Sequence, residues 1–149
     1  MGALKDRLAA EMKEAMKARD RVRLATLRLL SAAVKNKEVE VGHELSDDEL
    51  QQVAATEVKR RREAAEAYRE GGADDRAEAE RAEQAILESF LPEQLSEEEV
   101  EGLIDEAVAA TGASVPGDVG KVMGYVMGRA RGRVDGGEVN RRVSERLGA

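Results

Sequence analysis

The chain has 149 residues, with 31 acidic and 24 basic side chains, no cysteine, no tryptophan and a single histidine. That inventory excludes disulfides, thiolate chemistry and any zinc cage built on cysteine or paired histidines. Aromatics make up 2% of the residues and charged groups 37%, which points to an all-α protein with an aliphatic core, in one medium domain or two small ones.

The formal net charge of −7 is spread unevenly, with residues 1–62 at +3, residues 63–116 at −13 and residues 117–149 at +3. The total argues against a polyanionic partner, whereas the two basic ends keep one open. The opening "MGALKDRLAA" lacks an apolar signal core, and Asp6 stands where a myristoylation motif wants Ser or Thr. No stretch approaches the ~18 apolar residues of a membrane span. The expectation is a cytoplasmic chain with no membrane partner.

Leu4, Leu8, Met12 and Ala15/Met16 fall at helical spacing and predict a first helix ending near Arg19. Asp20 is placed to cap a second, with Leu24, Leu27, Leu30 and Val34 as its apolar stripe and Gly42 as its stop. In "LSDDEL", Ser46 and Glu49 have capping-box spacing; Leu50, Val53, Ala54, Val58, Ala65 and Tyr68 then keep a 3.6-residue period until Gly71 and Gly72. Ala79, Ala82, Ile86, Leu87 and Phe90 mark a fourth helix, stopped before Pro92. "LPEQLSEEE" reads as a boundary, with a second capping box from Ser96 and Glu99. Beyond it Val100, Leu103, Ile104, Ala107 and Val108 line a fifth helix that closes at Gly112. Ser114 and Pro116 open a sixth, and Val139, Val143 and Leu147 mark the last. The predicted architecture is all-α. About four helices form long hairpins over residues 1–92, and a small three-helix bundle follows over residues 96–149.

Enzymatic motifs are missing. "VPGDVGKV" has Val115 and Val122 where a phosphate loop requires Gly and Ser or Thr. His43 lies in a polar loop, and the carboxylates of "SEEEVEGLIDEA" suit a solvated first helical turn. No serine sits in a glycine-flanked elbow. No catalytic residue, metal site or cofactor is expected.

The sixth helix is the unusual one. In "GKVMGYVMGRARGRVDGGEVN", Gly120, Gly124, Gly128 and Gly132 recur every fourth residue. Each interior glycine costs a helix about 1 kcal/mol relative to alanine. Successive members drift by about 40°, so together they trace a winding groove that a second backbone can approach. The spacing predicts a neighbouring helix of the small bundle in that groove, with Met123, Val126, Met127 and Ala130 filling the rest. Lys121, Arg129, Arg131, Arg133, Arg141, Arg142 and Arg146 crowd around it, more than a helix dipole requires. Such a surface suits a phosphodiester chain or a protein partner as well. Lys13, Lys17, Arg19, Arg21, Arg23 and Arg28 form a second basic patch, for which a solvated helix face is the simpler reading.

These residues carry a resemblance. "GKVMGYVMGRARGRVDGGEVNRRVSERL", together with "LKDRLAAEMKEAMKARDRVRLATLRLLSAAVKNKEVE" and "ESFLPEQLSEEEVEGLIDEA", resembles the GatB/YqeY family over essentially the whole chain. In that family a similar two-part helical region forms the tail of the B subunit of the aspartyl/glutamyl-tRNA amidotransferase, where it helps hold tRNA. The family name carries carbon–nitrogen ligase activity with glutamine as amido donor, but the cradle and the amidase centre for that reaction are absent here. The resemblance implies a non-catalytic tRNA-binding module, an accessory to tRNA-dependent amidation. The other reading is an adaptor that docks onto an aminoacyl-tRNA synthetase or amidotransferase subunit. Carried over, the RNA-binding positions are Lys121, Gly124, Gly128, Arg131, Gly132, Arg133 and Asn140, and the basic cluster adds Arg129, Arg141 and Arg142.

Overall fold

The computed structural model describes residues 2–148, which contain seven α-helices, one 3₁₀ turn and no strand. The chain divides into two compact units, Met1–Leu91 and Pro92–Ala149.

The first unit holds α1 (Ala3–Ala18), α2 (Arg21–Val41), α3 (Asp47–Glu70) and α4 (Asp74–Glu88). Local chemistry sets most of their ends. The Asp20 carboxylate caps α2 by accepting from the Arg23 N–H at 3.1 Å, and Gly42 ends it at φ +79°, a conformation that favours glycine. Ser46 and Glu49 form a complete capping box at the start of α3. The N-terminus of α1 is satisfied from a distance, by Asp47 Oδ1 accepting from the Leu4 N–H at 3.1 Å. Glu38 clips three segments together. It pairs with Lys5 at 2.7 Å and accepts from the Leu45 N–H at 3.0 Å, and those bonds hold its carboxyl below the usual range. The core consists of Leu8, Leu27, Leu30, Leu50, Leu87 and Phe90, with smaller side chains between them.

One expected face is partly wrong. Ala79 and Ala82 of α4 are exposed and Ala77 is buried instead, whereas Leu87 and Phe90 are buried as expected. Polar Glu80, Glu83 and Gln84 occupy the half-buried positions between Ala77 and Leu87, so the apolar residues alone misplace the stripe there. Burial, followed by the neighbouring Glu80, raises the pKa of Glu83.

The second unit holds α5 (Glu97–Thr111), a 3₁₀ turn at Pro116–Asp118, α6 (Val119–Ala130) and α7 (Gly136–Arg146). Ser96 and Glu99 complete the second capping box, and Gly112 closes α5 at φ +68°. The Asp118 carboxylate accepts from the Ser114 N–H at 3.0 Å, which shapes the entry to α6. The helix that was expected to open at Ser114 and Pro116 thus starts at Val119, after the 3₁₀ turn. Asp135 caps α7 by accepting from the Gly137 N–H at 3.1 Å. A separate aliphatic core joins Ile104 and Ala107 of α5, Val122 and Val126 of α6, and Val139 and Val143 of α7. No helix among the described residues is long and apolar enough to cross a membrane.

Candidate nucleic-acid interface

α6 buries Val122 and Val126 in the core shared with α5 and α7 and buries Ala130 at its end, while Met123 and Met127 are half-buried. That burial turns the opposite side of the helix to solvent. Gly120, Gly124 and Gly128 lie there, and beyond the adjoining turns of its own helix a Cβ built on any of them would meet no atom of the described residues within 4 Å. The neighbouring helix expected in this groove is therefore not there. The buried stripe at 122, 126 and 130, with Val119, Met123 and Tyr125 partly buried beside it, faces the core and leaves the glycine stripe as bare, exposed backbone.

Gly132 does not belong to the stripe. α6 ends at Ala130 and Arg131 turns extended, so Gly132 falls in the following turn at φ +80°. A Cβ there would stand 3.6 Å from Pro92 Cγ. The turn is held by the segment before α5. Gln94 Nε2 donates to the Gly132 carbonyl at 2.8 Å, the Leu95 N–H to the Arg133 carbonyl at 2.9 Å, and Arg133 Nε to the Glu93 carbonyl at 2.8 Å.

The basic side chains fall into two groups. Lys121 and Arg129 are exposed and follow the glycine stripe one position behind it. Lys121 has Asp118 at 3.6 Å, and the Arg129 guanidinium lies 3.5 Å from the Tyr125 ring centroid. Arg131, at the C-terminal end of the stripe, is exposed and has no ion pair or hydrogen bond among the described residues. Phosphate charge is favoured beside such groups.

Along α7 the arginines are already occupied. Arg141 lies between Glu138 and Glu145, donating to Glu145 Oε1 at 2.8 Å and to Glu138 Oε2 at 3.1 Å. Those bonds raise its pKa further and, with Arg142, hold the Glu138 carboxyl low. Arg142 reaches Glu138 at 3.3 Å and, across to α5, Glu97 at 3.5 Å and Glu101 at 3.7 Å. Arg146 pairs with Asp105 of α5. Asn140 is exposed, with Ser144 Oγ at 3.5 Å.

The expected RNA-binding positions thus separate. Lys121, Gly124, Gly128, Arg129 and Arg131 share the exposed side of α6 and its end. Gly132 and Arg133 shape the turn, Arg141 and Arg142 join carboxylates on α7 and α5, and Asn140 stands on the open face of α7. Glu138 and Glu145, at helical ion-pair spacing from Arg141, are the signal in the sequence that its charge is shared. Gly120 is the stripe member that the carry-over left out.

In the first unit, Arg23 is engaged by Glu11, whereas Lys13, Lys17, Arg19, Arg21 and Arg28 are exposed and without an ion pair among the described residues. Among the described residues no three His, Asp or Glu side chains converge to hold a metal ion.

Known proteins place the chain. The altered inheritance of mitochondria protein 41 of Clavispora lusitaniae, mitochondrial by its name, is 32% identical to it over 90 residues, 60% of this chain and 52% of that protein. The chain thus spans about half the length of this curated relative. The family described as Yqey-like protein matches residues 5–147, the two helical units together, and the chain belongs to that family.

Proposed function

We propose that the chain is a non-catalytic RNA-binding module that seats the sugar-phosphate backbone of tRNA along the glycine side of α6. The observation that carries this reading is the exposed stripe of Gly120, Gly124 and Gly128. Gly124 lies in the middle of α6 and Gly120 and Gly128 in its first and last turns, each costing up to about 1 kcal/mol against alanine, and no packing among the described residues offsets that cost. A ligand backbone that approaches to van der Waals distance gives the missing side chains a use. Lys121, Arg129 and Arg131 border the stripe and supply positive charge to phosphates. Arg129 covers one face of the Tyr125 ring, and no other aromatic lies in this unit, so recognition rests on backbone and shape rather than on base stacking. The choice of tRNA rests on the resemblance to the amidotransferase tail, and the role that follows is to hold tRNA for a partner enzyme.

The test is a titration of the Gly120→Ala/Gly124→Ala/Gly128→Ala protein with tRNA, beside its melting curve. Alanine has open space at all three positions and is the better helix former, so the variant melts higher than the parent, by up to about 1 kcal/mol per site. Its affinity for tRNA is expected to fall roughly tenfold or more, because three methyl groups hold the phosphates off. A more stable variant with undiminished tRNA affinity overturns the reading.

A further inference from the structure

We propose that the exposed side of α2 is a docking seam for an amphipathic helix of another protein, one that is apolar at alternating three- and four-residue spacing and acidic along one border. This surface lies in the first unit and does not depend on the α6 reading.

The inward side of α2 is filled by Thr26, Leu27, Leu30 and Val34. The outward side is not the polar surface that an amphipathic helix ordinarily presents. Val22, Ala25, Leu29, Ala32, Asn36 and Val39 all lie on it and are all exposed. Their separations are three, four, three, four and three, the heptad seam along which two helices pack knobs into holes. Val22 is 56%, Leu29 49% and Val39 84% exposed, so the large members of the seam are all uncovered. Single exposed aliphatics need no explanation, but three in one heptad register do. The alanines between them let a second helix come close. Asn36 stands at a seam position where a polar residue fixes register at some cost in stability. One edge of the seam continues into a groove between α2 and α3, lined there by Ala33 and Asn36 together with Gln52 and Thr56.

Charge selects the occupant. Arg21, Arg28 and Lys35 recur every seven residues along the other border, all exposed and none in an ion pair among the described residues. Antiparallel pairing of two α2 helices would set this basic border against itself. Parallel pairing would set Arg21 and Arg28 against Thr26 and Ala33, which offer no charge, and would match only Lys35 with an acid, Glu40, which Lys37 already holds at 3.4 Å. A second copy is therefore a poor match, and a helix with acidic residues beside its seam is a good one. Exposed Val22, Leu29 and Val39 give nothing to a phosphodiester chain. A bilayer would favour interfacial aromatics, and no aromatic residue lies on α2.

The experiment uses the full chain and two fluorescein-labelled helical peptides of about six turns, with leucine at the seam positions and either Glu or Lys along the borders. The Glu peptide is expected to bind roughly tenfold or more tightly than the Lys peptide. Val22→Gln/Leu29→Gln, which touches only exposed side chains, removes that binding while the melting curve stays in place. In Arg21→Glu/Arg28→Glu/Lys35→Glu the preference inverts toward the Lys peptide. Equal binding of the two peptides, or none, overturns the proposal, as does binding that survives the seam substitutions. It is overturned equally if sedimentation shows a dimer that Val22→Gln/Leu29→Gln abolishes. The same holds if that variant loses binding to phosphatidylserine vesicles or to tRNA while neither peptide binds.

Discussion

At the scale of single residues, what separates the basic side chains near α6 is the neighbours they have already met. Arg131 has no partner among the described residues, whereas Arg141 is held between two glutamates. If phosphates bind beside α6, Arg131→Glu is expected to weaken tRNA binding roughly tenfold, while Arg141→Glu weakens it by a few-fold at most, because that charge is already largely compensated. Anisotropy titrations of the two folded variants decide it, and equal losses would place the contact along α7 instead. The glycines separate in the same way. Gly132 adopts φ +80° with Pro92 close by, so Gly132→Ala is expected to cost about 1 kcal/mol or more, opposite in sign to Gly124→Ala. Urea denaturation of the two variants side by side gives the comparison.

At the scale of helices, the ends were readable and the faces less so. Ser46/Glu49, Ser96/Glu99, Gly42 and Gly112 all act where the sequence puts them, because capping is a dialogue between residues a few positions apart. The inward side of α4 was readable only toward its end, at Ile86, Leu87 and Phe90; earlier, Glu80, Glu83 and Gln84 take positions that a hydrophobic stripe would claim. Nor could periodicity say that the glycine side of α6 has no neighbour, which depends on how α5 and α7 use the other side. The Glu138–Arg141 pairing is local and visible in the spacing, whereas Arg146–Asp105 and Arg133–Glu93 span about forty positions and are visible only in the fold. The same local bonds set the pH response. Glu38, Glu49, Glu99, Asp118 and Glu138 all have lowered pKa values, from Lys5, the Ser46 and Ser96 N–H groups, the Ser114 N–H and Arg141 respectively. A carboxyl lowered on folding adds stability that is complete above its unfolded value, about 4 for these groups, and is lost as pH falls through the folded value. Glu83 has the opposite sign, since its raised pKa means that ionisation on going up from pH ~4 erodes stability. Melting temperatures are therefore expected to fall below about pH 4. Glu83→Gln should raise the melting temperature at pH 7 and leave it unchanged in acid, and a variant that melts lower at pH 7 would show that the ionised carboxylate is needed there.

At the scale of the whole molecule, the two units have cores that share no residue, one built on Leu27, Leu30, Leu50 and Phe90, the other on Ile104, Val122, Val126 and Val143. Each also contains its own reporter, because Tyr68 lies in the first unit and Tyr125 in the second, and the chain has no tryptophan to mask them. Val126 is fully buried, and Val126→Ala removes two methyl groups from the smaller core for a loss of about 2 kcal/mol. Leu87→Ala, in the larger core, is expected to cost roughly 2–5 kcal/mol. In Tyr68→Phe and Tyr125→Phe backgrounds the remaining tyrosine follows one unit at a time. Val126→Ala is expected to lower the midpoint seen by Tyr125 and leave that seen by Tyr68 in place, with Leu87→Ala doing the reverse. Separate responses would follow from the separate cores, and they would allow the α6 surface and the α2 seam to be altered one without the other. Midpoints that move together for both substitutions would mean that the units unfold as one cooperative body, and that a change at either surface is felt at both.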